Sequence, residues 1–512
     1  MFRALSASAL SLLLLAPAHA ASEYYVDVAH GSDTNSGTSP AAAWKTLTHA
    51  LGTALDLGDF IHVAPGDYSP ATGEVFPLPL GPAYLHGDQG PAVTRVIGTG
   101  PETLLQGEGD DPVISFGIQG LSLLNAATGV SLRATDDTVF LQLVDVVMVD
   151  MSGVGVDLVA EAGPGLVTPP SVQLIANRVD IADSGTGLRV SSTSVDFISQ
   201  LCLTDSSVSH NAGDGLLLES VAGVKIFLSL GQSRLVGNGG AGVRANVSGF
   251  MELGVGTSLL ADNATGIDVH DDGGELHASV FYSTVVGHAG SALHVEPGMP
   301  AVADIEGSIF WGNAADVSGS VVLQAQDNDS EHGAFGAADG NVSVDPLFRG
   351  AAQGDYRLSF GSPCIDAGAD FAMQDVDGQF RPADGDLDTV RLLDLGAIEF
   401  QPLVVETTGE LGTQVVFENY GMPCMITTLF VAPGGQQPPK STKFGALSLS
   451  PVGLLPLYVT IVLAPAPNLV VATIPVEPAL VGSIFSFQGL TSSLVAPKSF
   501  ALTDVQSLVV IE

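Results

Sequence analysis

Three short stretches, GVRAN, GIDVH and ALHVE, place Arg244, Asn246, Asp268, His270, His294 and Glu296 at matching positions, the charged groups recurring at intervals of 24 to 26 residues. Two imidazoles, two carboxylates, one guanidinium and one amide gathered on a rigid surface could bind sugar hydroxyls, hold a metal ion or move protons. The plainer role is a solvated face on which opposite charges pair across strands. Which applies depends on whether the chain brings the three stretches together.

The spacing around them says that it does. Val208, Leu235, Leu260, Val285 and Phe310 recur at intervals of 27, 25, 25 and 25 residues, and three residues after each comes Asn211, Asn238, Asn263, His288 or Asn313. A period of this length, built from short β-branched strands and Gly/Asn turns, marks a solenoid whose coils bury their apolar faces only by stacking. The Asn column reads as a structural hydrogen-bonded ladder. An aligned turn residue, Gly155, Gly187, Gly215, Gly242, Gly266 or Ala292, precedes a strand in each coil. One and three residues further on, every position is apolar (Val156/Leu158 through Leu293/Val295), so that face points inward and the alternate positions point outward. Coils of a parallel sheet lie about 4.8 Å apart, so Arg244 to Glu296 form one outward patch over three coils.

Composition narrows the partners. The 512 residues hold 55 acidic and 16 basic side chains, a formal charge of -39, which repels nucleic acid and anionic membranes. With only 14% charged residues and 61 glycines, the chain suits a packed β protein rather than an acidic disordered tail. Residues 1–20 read as a secretory signal peptide cleaved after Ala20, with Arg3 before an apolar stretch and Ala18-His19-Ala20 at the cleavage site, so the chain is expected to be secreted or at the cell surface. Cys202, Cys364 and Cys424 show neither metal nor redox spacing and read as small buried residues.

Residues 21–112 read as an N-terminal cap and first coils, with an amphipathic helix from about Ala42 to Leu57 (Trp44, Leu47, Leu51, Leu55) covering the open end. Asp33 and Asn35 in GSDTNSGT read as turn residues bonded to backbone. Residues 113–343 carry the repeats, 344–402 an acidic segment closing the β-helix, and 403–512 a small β-sandwich of alternating apolar runs. The apolar run Val452–Val471 is broken by Pro456, Pro465 and Pro467, and no membrane span is expected. Alternating carboxylates at Asp375, Asp377, Asp384, Asp386 and Asp388 are candidate Ca²⁺ ligands, although Thr389 and Leu395 stand where an EF-hand needs Gly and Glu.

The series YYVDVAHGSDTNSGT, AWKTLTHAL and GDFIHVAPGDY resembles the N-terminal signature of secreted right-handed parallel β-helix proteins of the pectate-lyase-like superfamily, and within it a bacterial family of uncharacterised function. Residues Val344–Phe400 are similar to the C-terminal segment of bacterial surface β-helix proteins called choice-of-anchor Q proteins. The resemblance implies an all-β fold and a polysaccharide partner; lyases of this fold use Ca²⁺ with an Arg or Lys base. Here only Arg189 and Arg244 project from the outward strand positions, and no compact Asp–Asp–Arg group is visible. The expected function is therefore non-catalytic binding of a glycan or surface partner. A polysaccharide lyase or glycoside hydrolase is the alternative, with Asp268 and Glu296 as its carboxylate pair, and a structural surface component or adhesin is the third.

Overall fold

The computed structural model describes residues 22–512 apart from 54–55, 57, 110–112, 136–137, 162–169, 193–197, 221–223, 247, 271–273, 297–299, 370–372, 386–389, 420–424, 437–439, 443–444, 448, 450–453, 462–467, 494–499, 504–505 and 512. The signal peptide, Leu55 and Cys424 thus lie outside the described residues. The chain divides into two compact units, one of residues 1–227 with 246–248, the other of 228–245 with 249–512.

In the first unit, parallel pairing runs from strand Glu23–Val26 to Phe60–Val63, Tyr84–Gly87, Val113–Gln119, Thr138–Ala160, Ser171–Ala182 and Ile198–Thr204. Register places Leu85, Ile118, Leu143, Ala176 and Leu203 in one column, and all five are buried. Such a column is the stacked apolar core that an isolated coil cannot form.

The expected cap helix is corrected. Only Leu47–Leu51 is α-helical, after a 3-10 turn at Pro40–Ala42, and among the described residues no long amphipathic helix covers this end. Acidic side chains from elsewhere override the local periodicity. Asp33 accepts from the Lys45 and Thr46 amides and the Thr46 hydroxyl at 2.8, 2.9 and 2.9 Å. Glu74 accepts from the Leu47 and Thr48 amides at 2.9 and 2.8 Å, fixing the first turn where it stands. Trp44 belongs to a bridge with Val26 and stacks on Tyr24 at 5.2 Å instead of extending the helix. Asn35 donates to the Ala43 carbonyl at 2.9 Å, so both polar residues of the GSDTNSGT turn tie backbone together.

In the second unit each regular coil holds a long, a three-residue and a medium strand, as in Gly249–Gly256, Leu259–Ala261 and Thr265–His270. Two residues with positive φ make its corners: Gln232, Thr257, Tyr282 and Gly307 at one, Gly237, Asp262, Gly287 and Gly312 at the other. A buried polar residue follows each corner. Behind the second, Asn238 donates its amide and side-chain nitrogen to Asn263 Oδ1, both at 2.9 Å; the Asn263 amide donates to His288 Nδ1 (3.2 Å), and the His288 amide to Asn313 Oδ1 (3.1 Å). The Asn ladder is therefore built as expected. A second ladder, not foreseen, follows the first corner: the Ser233, Ser258 and Ser283 amides donate to Ser258, Ser283 and Ser308 Oγ at 3.1, 3.2 and 3.1 Å. It continues from Ser308 to Asn328 (2.8 Å) and from Asn328 to Asn341 (3.1 Å).

The aligned glycine lies within a strand at Gly155, Gly187, Gly242 and Gly266, and in the bend before one at Gly215. A Cβ on Gly266 would lie 2.4 Å from the Ala292 carbonyl oxygen and 2.8 Å from His288 Nε2, so close stacking of coils and the ladder beside it both require the missing side chain.

The described residues of 344–402 line the side of these coils. The Gly396 amide donates to Gly307 O (2.7 Å), the Ala397 amide to Thr284 Oγ1 (2.9 Å) and Tyr356 to Asp262 (2.6 Å). Beyond them lie small antiparallel sheets, one of three strands (Leu403–Glu406, Gln414–Asn419, Asn468–Thr473) and one built on Met425–Pro433 and Ile484–Ser493. Leu403, Val415, Phe417, Leu429 and Phe487 from both form one buried cluster. The described part of the 452–471 run is strand, and no described helix is long and apolar enough to cross a membrane.

Candidate functional site

The outward patch forms from alternate residues of three neighbouring strands. Val243, Ile267, Val269, Leu293 and Val295 are buried, so parity forces Arg244, Asp268, His270, His294 and Glu296 to the other face. Asp268 pairs in register with His294, and His294 with Ser318. Arg244 Nη1 lies 2.5 Å from Asp268 Oδ2, and Asp268 Oδ1 lies 2.8 Å from His270 Nε2. His270 Nδ1 meets Glu296 Oε2 at 2.6 Å. His294 has its ring centroid 5.5 Å from that of His270, and its Nδ1 lies 2.7 Å from Ser318 Oγ. Asn246 is exposed and enters none of these bonds.

The result is a continuous relay, guanidinium to carboxylate to imidazole to carboxylate, with Asp268 only 7% exposed at its centre. Partial burial works against a charged His270, but hydrogen bonds to Glu296 and Asp268 and their negative charges outweigh it and raise its pKa above the usual imidazole value. Among the described residues, Asp268, His270 and His294 are the only group of three or more whose ligand atoms converge, all within 4.8 Å of one another.

The acidic run is arranged differently from a chelating loop. Asp375 is fully buried and its oxygens accept from the Asp377, Gln379 and Glu399 amides at 2.9, 2.7 and 3.1 Å. Asp377 pairs with Arg234, Asp384 is buried, and Asp386 and Asp388 lie outside the described residues. No convergent cation site forms among its described members, because the backbone takes the Asp375 oxygens first. Cys364 is a buried free thiol and Cys202 a partly buried one, each with its pKa raised by burial.

A second outward face escaped the sequence. In the first unit, alternate positions of successive strands bring Phe60 onto Tyr84 (centroids 5.3 Å, planes 18° apart) and Tyr25 onto His62 (4.9 Å, 13°). Tyr84 lies across Gly117, where a Cβ would fall 1.9 Å from the ring. Beside this row opens a cavity of about 320 Å³ lined by His86, Asp88, Gln119, Asp145 and Arg178. Arg178 forks onto both Asp145 oxygens, which holds that carboxyl below the ordinary range. The signal was present as a ring-apolar-ring order in Phe60-Ile61-His62 and Tyr84-Leu85-His86.

Fold and faces together define a parallel β-solenoid with polar and aromatic outward strips. Residues 29–148, the stretch carrying the N-terminal resemblance, match a family described as "Protein of unknown function (DUF1565)". Among solved structures, the chain is similar to the A-module of mannuronan C-5 epimerase AlgE6 from Azotobacter vinelandii, at 16% identity over 58% of this chain and 93% of that one, with a TM-score of 0.29. The AlgE4 A-module from the same organism gives 15%, 54%, 90% and 0.27. Tailspike protein 2 of Escherichia coli O157:H7 bacteriophage CAB120 gives 10%, 91%, 66% and 0.28. No curated protein matches the sequence.

Proposed function

We propose that this chain is a non-catalytic carbohydrate-binding β-solenoid that lays an extended glycan along the outward aromatic strip of its first unit. The observation that carries the reading is the Phe60–Tyr84 platform beside the cavity that holds His86, Gln119 and Arg178. Phe60 is 41% exposed, so one ring of the stacked pair stands open to a ligand on the solvent side of the sheet. A pyranose offers a C–H face to an aromatic surface and hydroxyls at its edge, which the platform and the His86, Gln119 and Arg178 side chains complement. The charge of -39 favours neutral glycans, or acidic ones bridged by cations. Secretion, read from residues 1–20, would bring the protein to such a partner, and the C-terminal sheets, as a β-sandwich, would attach or recognise.

Tyr84→Ala is expected to weaken retention on a polysaccharide panel by about fivefold while the melting temperature holds, since the ring is outward and about 1 kcal/mol of stacking is removed. Unchanged retention in the Phe60→Ala/Tyr84→Ala double variant overturns the reading.

A lyase or hydrolase is the second reading, favoured by the His270 relay, which joins an acid–base group to two carboxylates. Unsaturated products or new reducing ends that disappear in Asp268→Asn would establish it in place of simple binding.

A further inference from the structure

We propose that Asp268, His270 and His294 form a binding site for a divalent transition-metal ion of the zinc class. The outer contacts of the two rings support this. A ligating histidine characteristically engages a carboxylate or other polar group through its second nitrogen, which fixes the ring and its tautomer. Both rings are held in that way: His270 by Glu296 at Nδ1 (2.6 Å), His294 by Ser318 at Nδ1 (2.7 Å). Each ring is left with Nε2 as its ligating atom, and His270 Nε2 already faces Asp268 Oδ1 at 2.8 Å. Ligands on a tetrahedral ion with bonds of about 2.0–2.1 Å stand about 3.3 Å apart, so the His270–Asp268 pair needs to open by only about half an ångström, while His294, within 4.8 Å of both, supplies the third ligand by adjusting its ring.

Charge agrees. Asp268 and Glu296 together exceed Arg244 by one negative charge with the imidazoles neutral, and Arg244 occupies Asp268 Oδ2, leaving Oδ1 for the ion. Two nitrogens and one oxygen select zinc, cobalt, nickel or copper over calcium and magnesium, which take all-oxygen shells. Three protein ligands leave a fourth position for water or a ligand oxygen. Placement on adjacent paired strands gives the ligands a rigid support. The proposal stands apart from the Phe60–Tyr84 platform, so either can fail alone.

The test uses the full chain without a histidine tag, stripped with chelator. Titration with zinc alone is expected to show one equivalent bound, with calcium failing to compete, and cobalt is expected to give the visible absorption of a four-coordinate ion. His270→Ala/His294→Ala should abolish both signals with an unchanged melting curve, and Glu296→Gln should weaken binding 10- to 100-fold through the His270 ring. No bound zinc, or zinc retained in the double variant, overturns the site; the His62–His86 pair would then be the first alternative carrier.

Discussion

Replacing Arg381 with Met is expected to destabilise the second unit by about 3–5 kcal/mol, the usual cost of stranding one half of a buried ion pair. The guanidinium is fully buried. It donates to the Gly396 and Asp394 carbonyls at 3.0 and 2.6 Å, its Nε lies 3.0 Å from Glu399 Oε2, and its centre stands 5.3 Å over the Tyr282 ring. Around it Glu399 accepts from the Ala383 and Asp394 amides, and Asp394 from the Asp366 and Phe400 amides. Burial and mutual repulsion push the Asp394 carboxyl well above its ordinary range; burial raises Glu399 too, and Arg381 opposes both shifts. Without the arginine these acids would be relieved only by taking up protons. A group whose folded pKa is raised favours the fold while protonated and loses that advantage as pH climbs through the folded value. The melting deficit of Arg381→Met should therefore be larger at pH 8 than at pH 5, and Arg381→Met/Glu399→Leu should recover part of it. Equal deficits at both pH values would show that packing, not charge, is what the arginine provides.

The second large effect concerns His288. The ring is buried where the ladder otherwise holds Asn; its Nδ1 accepts from Asn263, and burial pushes its pKa down to about 4. Here the sign is that of a depressed base. Above about 6.5 the imidazole is neutral in both states and costs nothing. As pH falls towards 4 the unfolded chain takes up a proton that the fold refuses, and stability is lost. The gap of about 2.5 pH units corresponds to about 3 kcal/mol. His288→Asn keeps an acceptor for the Asn263 amide and removes the titration. Urea unfolding of the two proteins between pH 7 and 4 should show the wild type losing about 3 kcal/mol relative to the variant. Asp375, raised by burial to about 6, works in the opposite direction over the same range, but it does so in both proteins and drops out of the difference. Parallel curves would mean that the buried ring protonates in place.

Both predictions fall on residues that the sequence exposed unequally. The inward columns, the Asn ladder and the Arg244–Glu296 patch were legible because a constant coil length turns sequence position into height along the solenoid. Strand parity then sorts in from out. Parity could not show that Arg244 and His270 share Asp268, which depends on side-chain rotamers. The aromatic strip hid because its coils are unequal: Tyr25, His62, His86 and Gln119 are separated by 37, 24 and 33 residues, so no period marks them. The helix over 42–57 was misread for a related reason. Its first turn is fixed at Leu47 by Asp33 and Glu74, and a local window around the helix sees neither as a partner. Likewise the acids from Asp375 onward alternate like a solvated chelating loop, and only Arg381 folded among them shows why several are buried.

The two ladders give the stack a direction. Every rung runs from an amide in one coil to a side chain in the coil that follows it in sequence, never the reverse: Asn238 to Asn263, Ser258 to Ser283, His288 to Asn313. The corner amides of each coil are therefore answered only once the coil after it is in place, as in masonry where each course is held by the one laid upon it. Asn341 ends one column. Its oxygen receives Asn328, while its own backbone amide turns back to the Ala338 carbonyl at 3.1 Å and asks nothing of a later coil. One asparagine, thirteen residues past its neighbour instead of the usual twenty-five, is thus the coping stone that lets the wall stop.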